Sequence, residues 1–240
     1  MMEINETLDD LQNGYFIIQN NNGFKFGIDA VILSDFAKEV SGRVIDLCTG
    51  TGIIPLLLAA KSQAELIDAI ELQKPVADMA ERSVRYNGLE DRIHIKCADI
   101  CEAQSLYGKG VFDAVTVNPP YMKKGTGLLN SLDAKTVSRH EITCTLEDVI
   151  RVSSELLKPL GKFFMVHRPA RLTDILYLMR KYKTEPKTIR LIAPEAGKEP
   201  NLVLVKGIRG AKCELKMMPT LYVYESNGSY TKEIDAIYGR

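Results

Sequence analysis

The chain has no tryptophan, only three histidines and only five cysteines among its 240 residues. Cys48, Cys97, Cys101, Cys144 and Cys213 are odd in number, and none forms a close-set pair of the metal-ligand type. Cys97 and Cys101 stand four apart, but no second pair and no suitably spaced histidines accompany them. The cysteines read as reduced thiols that behave as small apolar residues, and no metal is expected. His94, His140 and His167 belong to no nucleophile–histidine motif, so covalent catalysis of that type has no candidate. The longest apolar run, Ile53–Ala60, is eight residues long and contains Pro55. That is far short of the roughly 18 residues of a membrane span. The sequence opens Met1-Met2-Glu3-Ile4-Asn5-Glu6, acidic where a signal peptide needs base, so a cytoplasmic location is expected. Repeats, low-complexity tracts and Pro/Ser linkers are missing too, which points to one continuous domain.

Net charge is also missing, with 31 basic and 31 acidic residues, yet the charges are not evenly spread. Residues 1–157 hold 15 basic and 23 acidic residues, a net −8, and residues 158–240 hold 16 and 8, a net +8. Such polarity suits a polyanion partner on the basic half, which carries Arg168, Arg171, Arg180, Lys181, Lys183 and Lys187.

Short apolar runs alternate with helix-period stretches. Strands are expected at Arg43–Cys48, Glu65–Glu71, Arg92–Cys97, Phe112–Val117 and Gly161–His167. Between and after them, helices are expected at Ile53–Ser62, Pro75–Tyr86, Leu146–Leu157 and Ala170–Tyr182. This alternation predicts an α/β fold with a doubly wound, mostly parallel sheet. Two late strands, Thr188–Ala193 and Leu202–Gly207, have only a short connection and predict an antiparallel edge hairpin. Ahead of the core lie a β-like piece, Tyr15–Gln19, and a helix over Ala30–Glu39 with Asp29 as its N-cap. After it, Thr220–Tyr224 and Ser229 onward predict a second hairpin turning at Asn227-Gly228. The expected organisation is therefore an N-terminal segment, 1–42, a core, 43–210, and a C-terminal hairpin extension, 211–240.

Asp46-Leu47-Cys48-Thr49-Gly50-Thr51-Gly52 lies where the first core strand turns into a helix. Its glycines let the backbone pass close to a ligand. A dinucleotide site would want a third glycine at position 55, which is Pro55, so a phosphate-free nucleoside fits better. Glu71, at the end of the second core strand, is placed to accept ribose hydroxyls, and Asp99, after the third, to accept an adenine amino group. These residues resemble the class I S-adenosylmethionine-dependent methyltransferases over roughly residues 20–210. The resemblance implies a seven-stranded Rossmann-like sheet with its last strand antiparallel, and S-adenosylmethionine as cofactor. It makes Asp46, Thr49, Gly50, Gly52, Glu71 and Asp99 cofactor-binding residues. It also makes Gly23–Ala30, with Phe26, Gly27 and Asp29, the segment that packs over the cofactor.

The sharpest motif is Val115-Thr116-Val117-Asn118-Pro119-Pro120-Tyr121, a buried strand that ends in an amide, two prolines and a ring. The prolines fix φ and remove two N–H groups, so the carbonyls point in set directions. An amide oxygen, a rigid carbonyl and a ring suit a planar group bearing an exocyclic amine. The motif is similar to the Asn-Pro-Pro-Tyr signature of methyltransferases that act on amines or amides conjugated to a π system. That likeness implies catalytic roles for Asn118, Pro119, Pro120 and Tyr121, with Asn118 also lining the cofactor site.

Two substrate classes share the signature: adenine N6 in nucleic acid, and the glutamine amide of protein release factors. Glutamine enzymes carry a helical domain before the core, and about 40 residues ahead of Arg43 are too few for one. The long polar stretch Met122–Arg139 carries Lys123 and Lys124, placed to hold phosphates beside an extruded base, and ends at Arg139, a further substrate-contact candidate. The pattern most resembles small bacterial tRNA adenine-N6 methyltransferases that act on valine tRNA beside the anticodon. Phe26–Ala30, the tetrad, Arg139-His140-Glu141 and the tail Pro219–Tyr224 with Gly228–Thr231 carry that likeness. The implied partner is tRNA, at its anticodon stem-loop, with no membrane and no metal. The competing expectations are a glutamine N5-methyltransferase and a non-catalytic nucleoside- or RNA-binding module.

Overall fold

The computed structural model describes residues 3–23, 25–120 and 144–240. The chain opens with a hairpin of β1 (Glu6–Asp10) and β2 (Phe16–Asn20), followed by α1 (Ile28–Phe36). The core then alternates β3 (Ser41–Leu47), α2 (Ile53–Lys61), β4 (Gln63–Glu71), α3 (Lys74–Tyr86) and β5 (Ile93–Cys97). A 3-10 turn, Ile100–Glu102, leads into the short α4 (Ala103–Tyr107) and β6 (Phe112–Val117). Then come α5 (Leu146–Leu156), β7 (Leu157–His167), a 3-10 turn at Pro169–Arg171, α6 (Leu172–Lys181), β8 (Thr184–Ala193) and β9 (Leu202–Arg209). The chain finishes with β10 (Lys216–Tyr222) and α7 (Lys232–Tyr238).

The main sheet has the order β10-β8-β9-β7-β6-β3-β4-β5. All neighbours are parallel except β9, which runs antiparallel to both β7 and β8. The expected seven strands are present and β8 and β9 form the expected antiparallel hairpin, but β10 adds an eighth strand beside β8 and takes the edge. Strand order reverses at β3 and β6, so the crevice at their carboxyl ends is the switch point where open α/β sheets bind ligands.

Strand residues alternate between two apolar layers. Val44, Ala114, Phe164 and Val166 face α1, α2 and α7, while Ile45, Val115, Phe163 and Met165 face α4, α5 and α6. Burial on both faces is why these strands read as continuous apolar runs. The β1–β2 hairpin docks on α3 through polar clasps. Asn87 accepts from Phe16 N–H at 2.8 Å and donates to its carbonyl at 2.7 Å, and Arg82 forks onto Glu6 at 2.7 and 2.6 Å. The Arg82 guanidinium holds the Glu6 carboxyl below its usual range.

Two expectations fail locally. Gly27, not Asp29, is the N-cap of α1, and Asp29 is the helix's second residue. The helix begins earlier because Ile28 completes its apolar face against the core. The second C-terminal hairpin is reduced to one bridge, Tyr224 to Tyr230, around a turn in which Gly228 has φ +83°. Beyond it, Thr231 caps α7 by accepting from Ile234 N–H, and Ile234 and Ile237, three apart, are buried in the core. A helical spacing of apolar residues therefore prevails over the strand reading.

Candidate active site

At the end of β3 the backbone enters the left-handed region at Cys48 (φ 60°), Gly50 (φ 59°) and Gly52 (φ 86°). Gly52 cannot be replaced cheaply, because a Cβ there would lie 3.2 Å from Ala80 Cβ. This compact turn starts α2 and exposes Gly50 N–H, which donates to Glu71 Oε2 at 3.0 Å. Glu71, buried at the end of β4, also accepts from Gln73 N–H on Oε1 at 2.9 Å. Both oxygens are thus oriented by backbone, and each keeps acceptor capacity.

Asp46 is completely buried. Thr116 Oγ1, from β6, donates to its Oδ1 at 2.6 Å. Thr49 Oγ1 turns towards Asp46 and lowers its pKa without meeting hydrogen-bond geometry, so Asp46 Oδ2 and Thr49 Oγ1 are buried without a partner among the described residues. Burial pushes the carboxyl up to about 7 against the pull of Thr116 and Thr49, and the nearby Glu71 charge adds to the rise. A buried carboxylate oxygen and a buried hydroxyl left over beside a glycine turn are groups that a polar ligand can complete.

Asp99 Oδ1 accepts from Cys101 N–H at 2.8 Å and caps the 3-10 turn, a structural duty in addition to the one expected of it. At the end of β6, Asn118 donates from Nδ2 to Asp29 Oδ2 at 3.1 Å. Asp29 Oδ1 takes Ala30 N–H at 3.0 Å. Gly27 leaves room for this, since a Cβ there would fall 2.5 Å from Asp29 Oδ1. Phe26 is held by its N–H donating to the buried Gln19 at 3.0 Å. Pro119 is buried and Pro120 exposed. Asp46, Thr49, Gly50, Gly52, Glu71, Asp99, Asn118 and the Phe26–Asp29 segment thus stand at the ends of four neighbouring strands or pack against them. Tyr121, Lys123, Lys124 and Arg139 lie outside the described residues.

Sequence reasoning missed Thr116, which braces Asp46; its place two residues before Asn118, on a buried strand, was the available signal. It also missed that Asp29 ties the N-terminal segment to Asn118. Across the fold, Cys101, Cys144 and Asp148 bring ligand-type atoms within 4.8 Å of one another, a proximity that 43 residues of separation conceal. Asp148 is already committed there to the α5 capping box and to Arg151.

A family model described as "Methyltransferase small domain" matches residues 27–183. A Porphyromonas gingivalis protein named tRNA1(Val) (adenine(37)-N6)-methyltransferase is 30% identical over 228 residues, 90% of this chain and 88% of that protein. An Aeromonas salmonicida protein of the same name is 29% identical over 210 residues, covering 86% and 85%. Among solved structures, a predicted O-methyltransferase from Agrobacterium tumefaciens superposes with a TM-score of 0.69 at 24% identity, covering 88% of this chain and 95% of that one. M. jannaschii TYW2 in complex with AdoMet superposes with a TM-score of 0.60 at 16% identity, covering 87% and 88%.

Proposed function

The chain belongs to the methyltransferase small domain family, and from that premise we propose that it methylates N6 of an adenine in tRNA, at the anticodon stem-loop. S-adenosylmethionine is the methyl donor, and the site's chemistry suits it. Glu71 presents two backbone-oriented carboxylate oxygens for the ribose diol. The unsatisfied Asp46 Oδ2 and Thr49 Oγ1, next to the Gly50 turn, can serve the amino-acid tail. Asp99 keeps a second oxygen for the adenine amine, and Phe26 and Gly27 pack over the nucleoside. When bound, the cofactor supplies a methyl carbon made electrophilic by its sulfonium.

The observation that carries the reading is the Asp29–Asn118 hydrogen bond at the end of β6. With Nδ2 held by Asp29, the Asn118 amide oxygen is the atom assigned to accept from the substrate amine. The Pro119 carbonyl, set by two consecutive proline rings, accepts the second amine hydrogen. Both acceptors draw the nitrogen lone pair out of conjugation with the ring. Tyr121 stacks on the base, and Lys123, Lys124 and Arg139 hold flanking phosphates. No general base is needed before transfer, because the proton leaves after the nitrogen has become cationic. Positioning supplies most of the rate.

The names of the curated relatives favour adenine over a protein glutamine. Among the described residues no helix is long and apolar enough to cross a membrane. The test is Asn118→Ala assayed on tRNA, with digestion and mass spectrometry for N6-methyladenosine. Turnover should fall by at least about 100-fold, as for loss of a transition-state hydrogen-bond donor or acceptor, while cofactor affinity stays within a few-fold. Abolished cofactor binding would contradict the role given to Asn118, and wild-type methylation of a release-factor glutamine instead of tRNA would overturn the substrate.

A further inference from the structure

The basic half of the sequence does not gather at the catalytic rim. Arg168 and Arg171 follow β7 and stand at that rim, but Arg180, Lys181, Lys183 and Lys187 lie at the opposite end, where α6 hands over to β8. Other cations join them there. Lys109 precedes β6, Lys158 and Lys162 open β7, Arg209 ends the antiparallel β9, and Lys212 follows it. Hydrogen bonds join these segments into one base: Gly210 N–H donates to Lys183 O at 2.8 Å, Gly110 N–H to Glu155 O at 2.9 Å, and the Arg209 guanidinium to Leu157 O.

Three acids at this base are already paired. Asp113 holds Lys158 at 2.8 Å, Glu185 holds Arg180 at 3.3 Å, and Glu214 holds Lys187 at 3.4 Å. Among the described residues Lys109, Lys162, Lys183, Lys206, Arg209 and Lys212 form no ion pair. Glu39, whose carbonyl accepts from Lys162, is the acid left facing them. Burial, helped by the neighbouring Lys162 charge and opposed by Glu39, lowers the Lys206 ammonium below its usual range.

We propose that this base, across β7, β9 and β8, is a second RNA contact that holds backbone phosphates of the tRNA whose target base sits at the rim. The inference rests on the tRNA reading above. The two ends are separated by the length of β6, roughly 17 Å at about 3.3 Å per residue, so one structured RNA spans both. Cations that no carboxylate pairs grip phosphates irrespective of sequence. The base thus supplies affinity, and the rim supplies choice of nucleotide.

The test is a Lys162→Glu, Lys183→Glu, Lys212→Glu triple variant, with Lys162→Ala, Lys212→Ala as a milder second. Fluorescence anisotropy follows full-length tRNA across a salt series, and methylation kinetics and thermal melting accompany it. The triple variant should bind tRNA at least ten-fold more weakly, with kcat and cofactor affinity within two-fold. Its salt slope should be shallower by about two, at roughly 0.7–0.9 per phosphate lost. Wild type that binds and methylates tRNA, with both variants unchanged in affinity and slope, overturns this inference alone. Wild type that binds no tRNA overturns the parent reading together with it.

Discussion

Asp46 carries an opposition between binding and stability that one substitution can expose. Its carboxyl is fully buried, accepts one hydrogen bond from Thr116, and has a pKa pushed up from 3.8 to about 7. A carboxyl with a raised folded-state pKa binds its proton more tightly in the fold than in the unfolded chain. Its contribution is fully present below about pH 4 and is lost as the pH rises towards 7. The difference corresponds to roughly 4 kcal/mol at 1.36 kcal/mol per pH unit, an upper figure for a charge that can relax its surroundings. Asp46→Asn keeps the shape and the Thr116 hydrogen bond but cannot ionise. It should therefore stabilise the ligand-free protein at pH 8 by up to about 4 kcal/mol, or up to about 8–16 °C in Tm for a domain of this size. The gain should shrink steadily on acidification and vanish near pH 4. Paired thermal and denaturant melts of both proteins from pH 4 to 8.5 measure it as a difference, which cancels the titrating groups that do not sense Asp46. The substitution should at the same time weaken cofactor binding. An Asp46→Asn variant no more stable than wild type at pH 8, or a gain that does not change with pH, would refute the reasoning.

Glu71→Ala should chiefly weaken the cofactor, because it removes both ribose acceptors and frees Gly50 and Gln73 N–H; calorimetry should show at least a ten-fold loss of affinity, and an unchanged Kd would reassign the residue. Gly52→Ala meets both a left-handed φ and the Ala80 contact at 3.2 Å, so it should cost about 1–2 kcal/mol in chemical denaturation.

Most of the sheet was legible because its strands are buried on both sides and bounded by turn residues. Phe112–Val117 was read to the residue for that reason. The cofactor rim was legible too, since Asp46, Glu71, Asp99 and Asn118 each close a strand or its turn. What local pattern could not show was pairing across long separations. β10 joins β8 in parallel, Asp29 meets Asn118 across 89 residues, and Thr116 meets Asp46 across 70. β1 escaped notice because its Glu-Thr-Leu-Asp-Asp stretch has no apolar alternation and is held by Arg82. The charge split is legible in sequence but its placement is not, since α6 carries the chain from the rim to the far end before most of the lysines occur.

The packing of α7 and β10 also sets an order of events. Leu221, Val223, Ile234 and Ile237 share one apolar cluster with Leu11, Ile17 and Ala30 to Leu33. The part of that face covered by α7 therefore stays open on the ribosome until some two hundred residues after α1 has emerged, although α2 packs on α1 well before then. The opposite layer, α4 to α6 on β6 and β7, is assembled from closer neighbours and can close first. Folding is thus expected to be two-paced, with a half-covered sheet as the species that chaperones would meet.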